Sequence, residues 1–205
     1  MTPKRGLLLA ITSLALGLTV FAALAVWREA SAPKFEATDI TGVDWETDFK
    51  LTDHTGQLRT LADFRGKAVA VFFGYTSCPD VCPIALARLS EAVKLLGEDA
   101  SRVQVLFITV DPKRDTQEVL SQYVPAFHPS FLGLRSDLET AQRTAKAFKV
   151  YFNAHPANEH GHYMVDHSGS IFVFDPRGRL RLLMRGELPP GSMAHDFRLL
   201  LERAS

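Results

Sequence analysis

Cysteine is nearly absent from this chain, with Cys78 and Cys82 the only two in 205 residues. They allow no disulfide framework. One bridge across so short a loop would constrain the unfolded chain little, because the entropic gain grows with the length of loop closed. Charge imbalance is absent as well. The 23 basic and 23 acidic residues cancel, and with Lys4 and Arg5 set aside the remainder is slightly acidic. No basic run exists that would track a phosphate backbone, so nucleic acid is not an expected partner. Repeats and low-complexity tracts are missing too, which leaves one domain of ordinary size with an appendage.

The appendage is marked by another absence, since residues 6–27 carry no charge and are mostly Leu, Ala, Val, Ile and Phe. That length matches the roughly 20 residues that span a bilayer's hydrocarbon core. Lys4 and Arg5 place residues 1–5 in the cytoplasm by the positive-inside rule, and Trp27 suits an interfacial anchor. A cleaved signal peptide is the alternative, with Ala23-Leu24-Ala25 and Ala30-Ser31-Ala32 as small-residue sites, although the apolar run exceeds the usual h-region. The expectation is an uncleaved single transmembrane helix at 6–27, a linker at 28–45 and an exported domain at 46–205. The exported side is oxidising, so a free dithiol there needs a reducing partner or a metal.

Within the domain, Phe49-Lys50-Leu51 and Leu58-Arg59-Thr60-Leu61 read as a hairpin turning at Gly56. Residues 68–74 are continuously apolar, as a strand buried on both faces would be, and 103–110 repeat the pattern. Pro83 suits the first position of the intervening helix, whose apolar face is Ile84, Leu86, Leu89, Val93 and Leu96. Cap-like starts at Asp115-Thr116 and Ser136-Asp137 predict helices near 116–124 and 137–148. A second hairpin at 171–184 turns at 175–178, and a last helix from about Ser192 packs Met193, Phe197, Leu200 and Leu201. This order predicts an α/β protein with a mixed central sheet flanked by helices, a thioredoxin-like fold with the cysteines at the end of its first central strand.

Two thiols at a strand-to-helix junction are a reactive site or a metal clamp. Orphan N–H groups and the positive end of the helix dipole should lower their pKa. Pro79 and Pro83 disfavour helical backbone in the residue before each, which predicts both cysteines in the loop entering the helix. Thiolates select Cu(I), zinc or iron–sulfur chemistry, and an added imidazole brings Cu(II) into range. Seven histidines could supply it. His54, His128 and His195 sit in turn, loop or amphipathic contexts; His155, His160 and His162 form a polar loop that could bind metal adventitiously. His167 stands just before the strand at 171–174, where thioredoxin-like proteins carry a cis-proline facing the cysteines. Among the other candidates, Asp80 suits the turn between the cysteines, and Asp111 and Asp115 suit loop structure or partner docking. Met164 and Met184 are thioethers more often used as core filler. A peroxidase of the peroxiredoxin type would need Pro-x-x-x-Thr-x-x-Cys; here Thr76 is two residues before Cys78, with Phe73 and Gly74 near the place of the proline.

Cys78-Pro79-Asp80-Val81-Cys82-Pro83, Asp111-Pro112-Lys113-Arg114-Asp115-Thr116, Val165-Asp166-His167-Ser168 and Phe174-Asp175-Pro176-Arg177-Gly178 together resemble the Sco/SenC family of copper-binding cytochrome oxidase assembly proteins. The resemblance implies a thioredoxin fold in which Cys78, Cys82 and His167 bind copper. It also implies delivery of copper to the dinuclear centre of cytochrome c oxidase subunit II, or reduction of that subunit's thiols. Implied partners are subunit II, copper donor proteins and a thiol reductant such as a thioredoxin-like protein; with the anchor, the implied location is a bacterial inner membrane with the domain facing the periplasm. Two thiolates and a neutral imidazole carry two negative charges, so Cu(I) leaves the site singly negative and Cu(II) leaves it neutral. The alternative is a membrane-tethered thiol-disulfide oxidoreductase using Cys78 and Cys82 as a redox-active pair, in which His167 would be dispensable.

Overall fold

The computed structural model describes residues 17, 19–22, 33–45 and 47–203. The predicted membrane helix at 6–27 lies largely outside them, as do linker residues 28–32. No helix among the described residues is long and apolar enough to cross a membrane. In chain order the domain forms β1 (Thr38–Asp39), β2 (Lys50–Asp53), β3 (Leu58–Thr60), β4 (Ala68–Gly74), α1 (Val81–Leu95), β5 (Val103–Thr109), α2 (Gln117–Tyr123), β6 (Leu132–Arg135), α3 (Leu138–Ala147), β7 (Phe152–Ala154), β8 (Val165–His167), β9 (Ser170–Phe174), β10 (Leu180–Arg185) and α4 (Pro190–Glu202).

The two continuously apolar runs take the middle of an eight-stranded sheet ordered β1-β10-β9-β4-β5-β6-β2-β3. β4, β5 and β6 are parallel neighbours, and β9 joins β4 antiparallel. Every residue of β4 and β5 is buried, as strands covered on both faces require. Alternation divides β4 between two cores. Ala68, Ala70 and Phe72 pack with Leu86, Leu89 and Val93 of α1 and with Met193, Phe197 and Leu200 of α4. Val69, Val71 and Phe73 pack with Phe148 beyond α3 and with Phe172 and Phe174 of β9. Each large side chain so enclosed contributes about 1.5 to 3 kcal/mol of burial. The result is the mixed sheet between helices expected of a thioredoxin-like fold.

Both predicted hairpins form, the first with Gly56 at φ +88° where a side chain would be strained. Thr116 and Asp137 cap α2 and α3 by accepting the N–H groups of Val119 and Thr140. Four features differ from the sequence reading. β6 and the two-stranded β7–β8 ribbon lack a strong apolar period and escaped it. α4 begins at Pro190, two residues early. Ile84, assigned to the apolar face of α1, is 44% exposed, while Ala85 and Ala92 complete that face. α1 begins at Val81, so Cys82 lies in its first turn and only Cys78 is in the loop. Pro83 is accommodated because the first helical N–H groups have no intrahelical acceptor to lose.

The predicted linker also joins the fold. From Phe35 onward the chain belongs to the compact unit. β1 pairs with β10, and Phe35 lies under the guanidinium groups of Arg203 and Arg181 at 4.6 and 5.9 Å. The carboxylate of Asp196, fully buried on α4, accepts the N–H groups of Glu36 and Ala37, both at 2.8 Å. One buried acid thus fixes the path into the sheet edge. Asp196→Ala should leave the N–H groups of Glu36 and Ala37 without their acceptor, destabilise the domain by about 1 to 3 kcal/mol and open residues 35–39 to proteolysis. Chemical denaturation with limited proteolysis checks this, and an unchanged midpoint and digestion pattern would contradict it.

Candidate metal centre

β4 ends at Gly74, and the chain folds into a turn closed by the N–H of Cys78 donating to the carbonyl of Tyr75 at 3.2 Å. Cys78 is half-buried on that turn, and Cys82 is fully enclosed one helical turn further on. His167 approaches from the end of β8. Its Nε2 is 3.4 Å from Cys82 Sγ, and the ligand atoms of all three residues lie within 4.8 Å of one another. Among the described residues no other three His, Cys, Asp or Glu side chains converge in this way. His167 Nδ1 is 3.2 Å from the carbonyl of Ser168. A carbonyl only accepts, so this contact places the ring proton on Nδ1 and turns the Nε2 lone pair toward the sulfurs.

The surroundings are apolar. Tyr75 meets the His167 ring edge-on at 5.7 Å between centroids, and Phe72 does so at 6.2 Å. Burial lowers the pKa of His167 despite the Ser168 carbonyl and Asp166, so the ring is neutral at neutral pH. Burial likewise pushes the Cys82 thiol far above its usual value, outweighing the N–H of Tyr75 that favours the thiolate. This reverses the expectation of a lowered pKa for that residue, because desolvation at the sealed end of the helix exceeds the dipole's pull. Cys82 is therefore a protonated thiol at neutral pH.

Neighbouring side chains brace the turn. Asp115, fully buried, accepts from the backbone N–H of Thr76 at 3.1 Å, from the Thr76 hydroxyl at 2.6 Å and from the Thr109 hydroxyl at the end of β5. Arg114 reaches the other way. It pairs with Asp111, donates to the carbonyl of Tyr163 at 2.8 Å and lies 3.6 Å over the Tyr163 ring, fastening the β7–β8 ribbon to the loop after β5. Asp111 also accepts from the Tyr163 hydroxyl at 2.8 Å. Both aspartates therefore hold loop structure, as expected, and neither converges on the sulfurs.

Sequence reasoning missed two participants, Gly74 and Tyr75. A Cβ on Gly74 would sit 2.7 Å from Cys82 Sγ and 2.7 Å from the Phe107 ring, so only glycine leaves room for the sulfur there. The position of Gly74 at the end of the buried run was the available signal. The remaining candidates go elsewhere. Asp80 is exposed before α1 and makes no side-chain cap; Met184 is core, and Met164 is half-exposed with its sulfur 3.9 Å from the Tyr75 hydroxyl. His54 accepts the N–H of Gly133, His128 bonds Ser130, and His195 is half-buried on α4. His155, His160 and His162 are exposed on the loop between β7 and β8.

A family model described as SCO1/SenC matches residues 37–202. The mitochondrial SCO2 homolog of Bos taurus is 44% identical over 133 residues, 64% of this chain and 50% of that protein. The chain spans about half the length of the curated relatives it matches first. Among solved structures, Bradyrhizobium japonicum ScoI with copper bound is 35% identical with a TM-score of 0.69, covering 75% of this chain and 97% of that one. Apo Sco1 from Thermus thermophilus is 37% identical with a TM-score of 0.71, covering 85% and 99%. The family match runs from Ala37, just before β1, to Glu202, the last residue of α4, and the chain belongs to the SCO1/SenC family.

Proposed function

We propose that this chain is a copper carrier that binds one ion through Cys78, Cys82 and His167. In this reading it assists assembly of the copper centre of cytochrome c oxidase subunit II, held to the membrane by residues 6–27. The observation that carries the reading is the convergence of two sulfurs and one imidazole nitrogen within 4.8 Å, in a pocket otherwise lined by aromatic rings. Soft sulfurs with one nitrogen suit copper in either common oxidation state. Related proteins have been solved with copper bound, among them Bradyrhizobium japonicum ScoI and yeast Sco1. A second reading, reduction of subunit II thiols, draws support from the asymmetry of the pair, with Cys78 half-exposed and Cys82 sealed behind it.

Reduced protein should take up one copper, and Cys78→Ala, Cys82→Ala and His167→Ala should each lower affinity by more than about 100-fold, since each removes a direct ligand. The pH dependence has a fixed sign. The Cys82 thiol, with its pKa raised, is protonated at neutral pH, so copper must displace that proton; affinity should rise about tenfold per pH unit for each proton released between about pH 6 and 8. His167, with its pKa lowered by burial, competes less for a proton than an ordinary imidazole would. Competition titration with a copper chelator reads both, and wild-type affinity in His167→Ala would exclude the three-ligand site.

Gly74→Ala forces a methyl group against Cys82 Sγ and Phe107. It should destabilise the domain by about 1 to 3 kcal/mol through overpacking. It should also weaken copper binding while the domain remains folded. Circular dichroism with the same titration separates the two effects, and unchanged copper affinity would show that the sulfur has slack.

Deleting the gene should reduce oxidase activity most when copper is scarce, because a tethered donor raises the effective concentration of copper at a membrane-bound acceptor. Added copper should partly restore it, and Cys78→Ser should not. Normal activity at limiting copper would defeat the assembly role. Rescue by an external thiol reductant, and not by copper, would favour the reductase reading.

A further inference from the structure

The β7–β8 ribbon has two faces, and the metal centre uses only one. Phe152 pairs with His167, Asn153 with Asp166 and Ala154 with Val165. Directly opposed residues share a face, and neighbours along a strand point to opposite faces. His167 and Val165 therefore face inward. The N–H of His155 donates to the carbonyl of Met164 at 2.9 Å and extends the ladder by one pair, which puts His155, Met164 and Asp166 together on the outward face.

Those three side chains are metal donors, and two are already in contact. His155 Nε2 lies 2.8 Å from Asp166 Oδ2, with the two side chains 49% and 62% exposed. The contact is a hydrogen bond, and its length is also the spacing, about 2.8 Å, of two donors on adjacent corners of a square-planar or tetragonal ion with bonds of about 2.0 Å. His155, Asp166 and Met164 line an open cavity of about 590 Å³ together with His162 and Asn158. Asn158 stiffens its far wall. Its side-chain oxygen accepts the N–H groups of His160 and His162, at 3.0 and 2.9 Å, and so holds the loop that carries them.

One outer donor reaches the aromatic wall of the inner centre. Asp166 is covalently next to His167. Met164 Sδ is 3.9 Å from the hydroxyl of Tyr75, whose ring stands edge-on to His167 at 5.7 Å. An imidazole, a carboxylate and a thioether make a mixed set that suits copper better than a hard cation and holds it more weakly than two thiolates do.

We infer that His155, Met164 and Asp166 form a second and weaker copper site that loads the Cys78–Cys82–His167 centre. The loading role rests on the inner centre being a copper site; the outer site itself does not. Transfer is ligand exchange. Copper bonds to His155 nitrogen, Asp166 oxygen and Met164 sulfur break as bonds to His167 Nε2 and the two sulfurs form, the thiol protons pass to water, and no electron moves.

The test uses the full chain with Cys78→Ser, Cys82→Ser and His167→Gln, which silence the inner centre. Titrated with Cu(II) and followed by electron paramagnetic resonance, this protein should bind one ion with nitrogen hyperfine structure. Adding His155→Gln should weaken binding at least about tenfold, and adding His128→Gln should not. No bound copper, or equal affinity with and without His155, overturns the outer site. The second arm keeps all three inner ligands and follows thiolate-to-copper absorption after rapid mixing with dilute Cu(II). His155→Gln should slow its growth several-fold and leave its final intensity unchanged. Equal rates overturn the loading role. Absence of that absorption in the unsubstituted chain would instead refute the inner centre, while the first arm still reads the outer site.

Discussion

A single buried carboxylate holds the two halves of the cysteine platform together. Asp115 takes hydrogen bonds from Thr76, two residues before Cys78, and from Thr109 at the end of β5, so the turn carrying the first sulfur is locked to the strand next to its own. Burial alone would drive this acid toward its neutral form, and its pKa is raised in spite of the Thr109 and Thr76 bonds. A carboxyl group fully enclosed and surrounded by donors is costly to disturb, because removing it leaves hydroxyl and N–H groups unpaired in the interior. Such a cost makes the turn rigid. Two sulfurs held at chelating distance by a rigid turn need little reorganisation to accept an ion.

The third donor of the candidate centre is mounted differently. His167 sits on a ribbon of two short strands that lies outside the main sheet and is fastened to the loop after β5 by Arg114, stacked on Tyr163 and paired with Asp111. A pair of sulfurs on the main sheet and an imidazole on a separate ribbon suit the proposed copper carrier, which must release what it binds. Withdrawing the ribbon would take away one ligand and open one side of the aromatic wall, without unfolding the sheet that positions the cysteines.

Much of this was legible in the sequence for reasons that can be named. β4 and β5 are apolar throughout because they are covered on both faces, and Thr116 and Asp137 announce helices through their short side-chain acceptors. The ribbon was illegible because its strands are three residues long and one of its faces is exposed and polar, which leaves no apolar alternation to detect. Cys82 was misplaced by a local rule: the backbone preference before proline put it in the loop, whereas burial of Ala85, Leu86 and Leu89 behind it draws the helix start back to Val81. The path of residues 35–39 depends on Asp196, some 160 positions away, and no local pattern encodes a partner at that distance.

The raised thiol pKa of Cys82 unites these features. The same burial that packs α1 against the sheet makes the inner sulfur reluctant to ionise, so the apo centre avoids carrying two uncompensated negative charges in an apolar pocket. His167 is neutral for the same reason, and its lone pair faces a thiol that can donate to it at 3.4 Å. Cys82 and His167 are thereby both uncharged and in hydrogen-bond contact, and a cation bound there would replace the Cys82 proton instead of meeting a preformed thiolate. Affinity is tempered by that exchange, which fits the carrier role proposed for this chain.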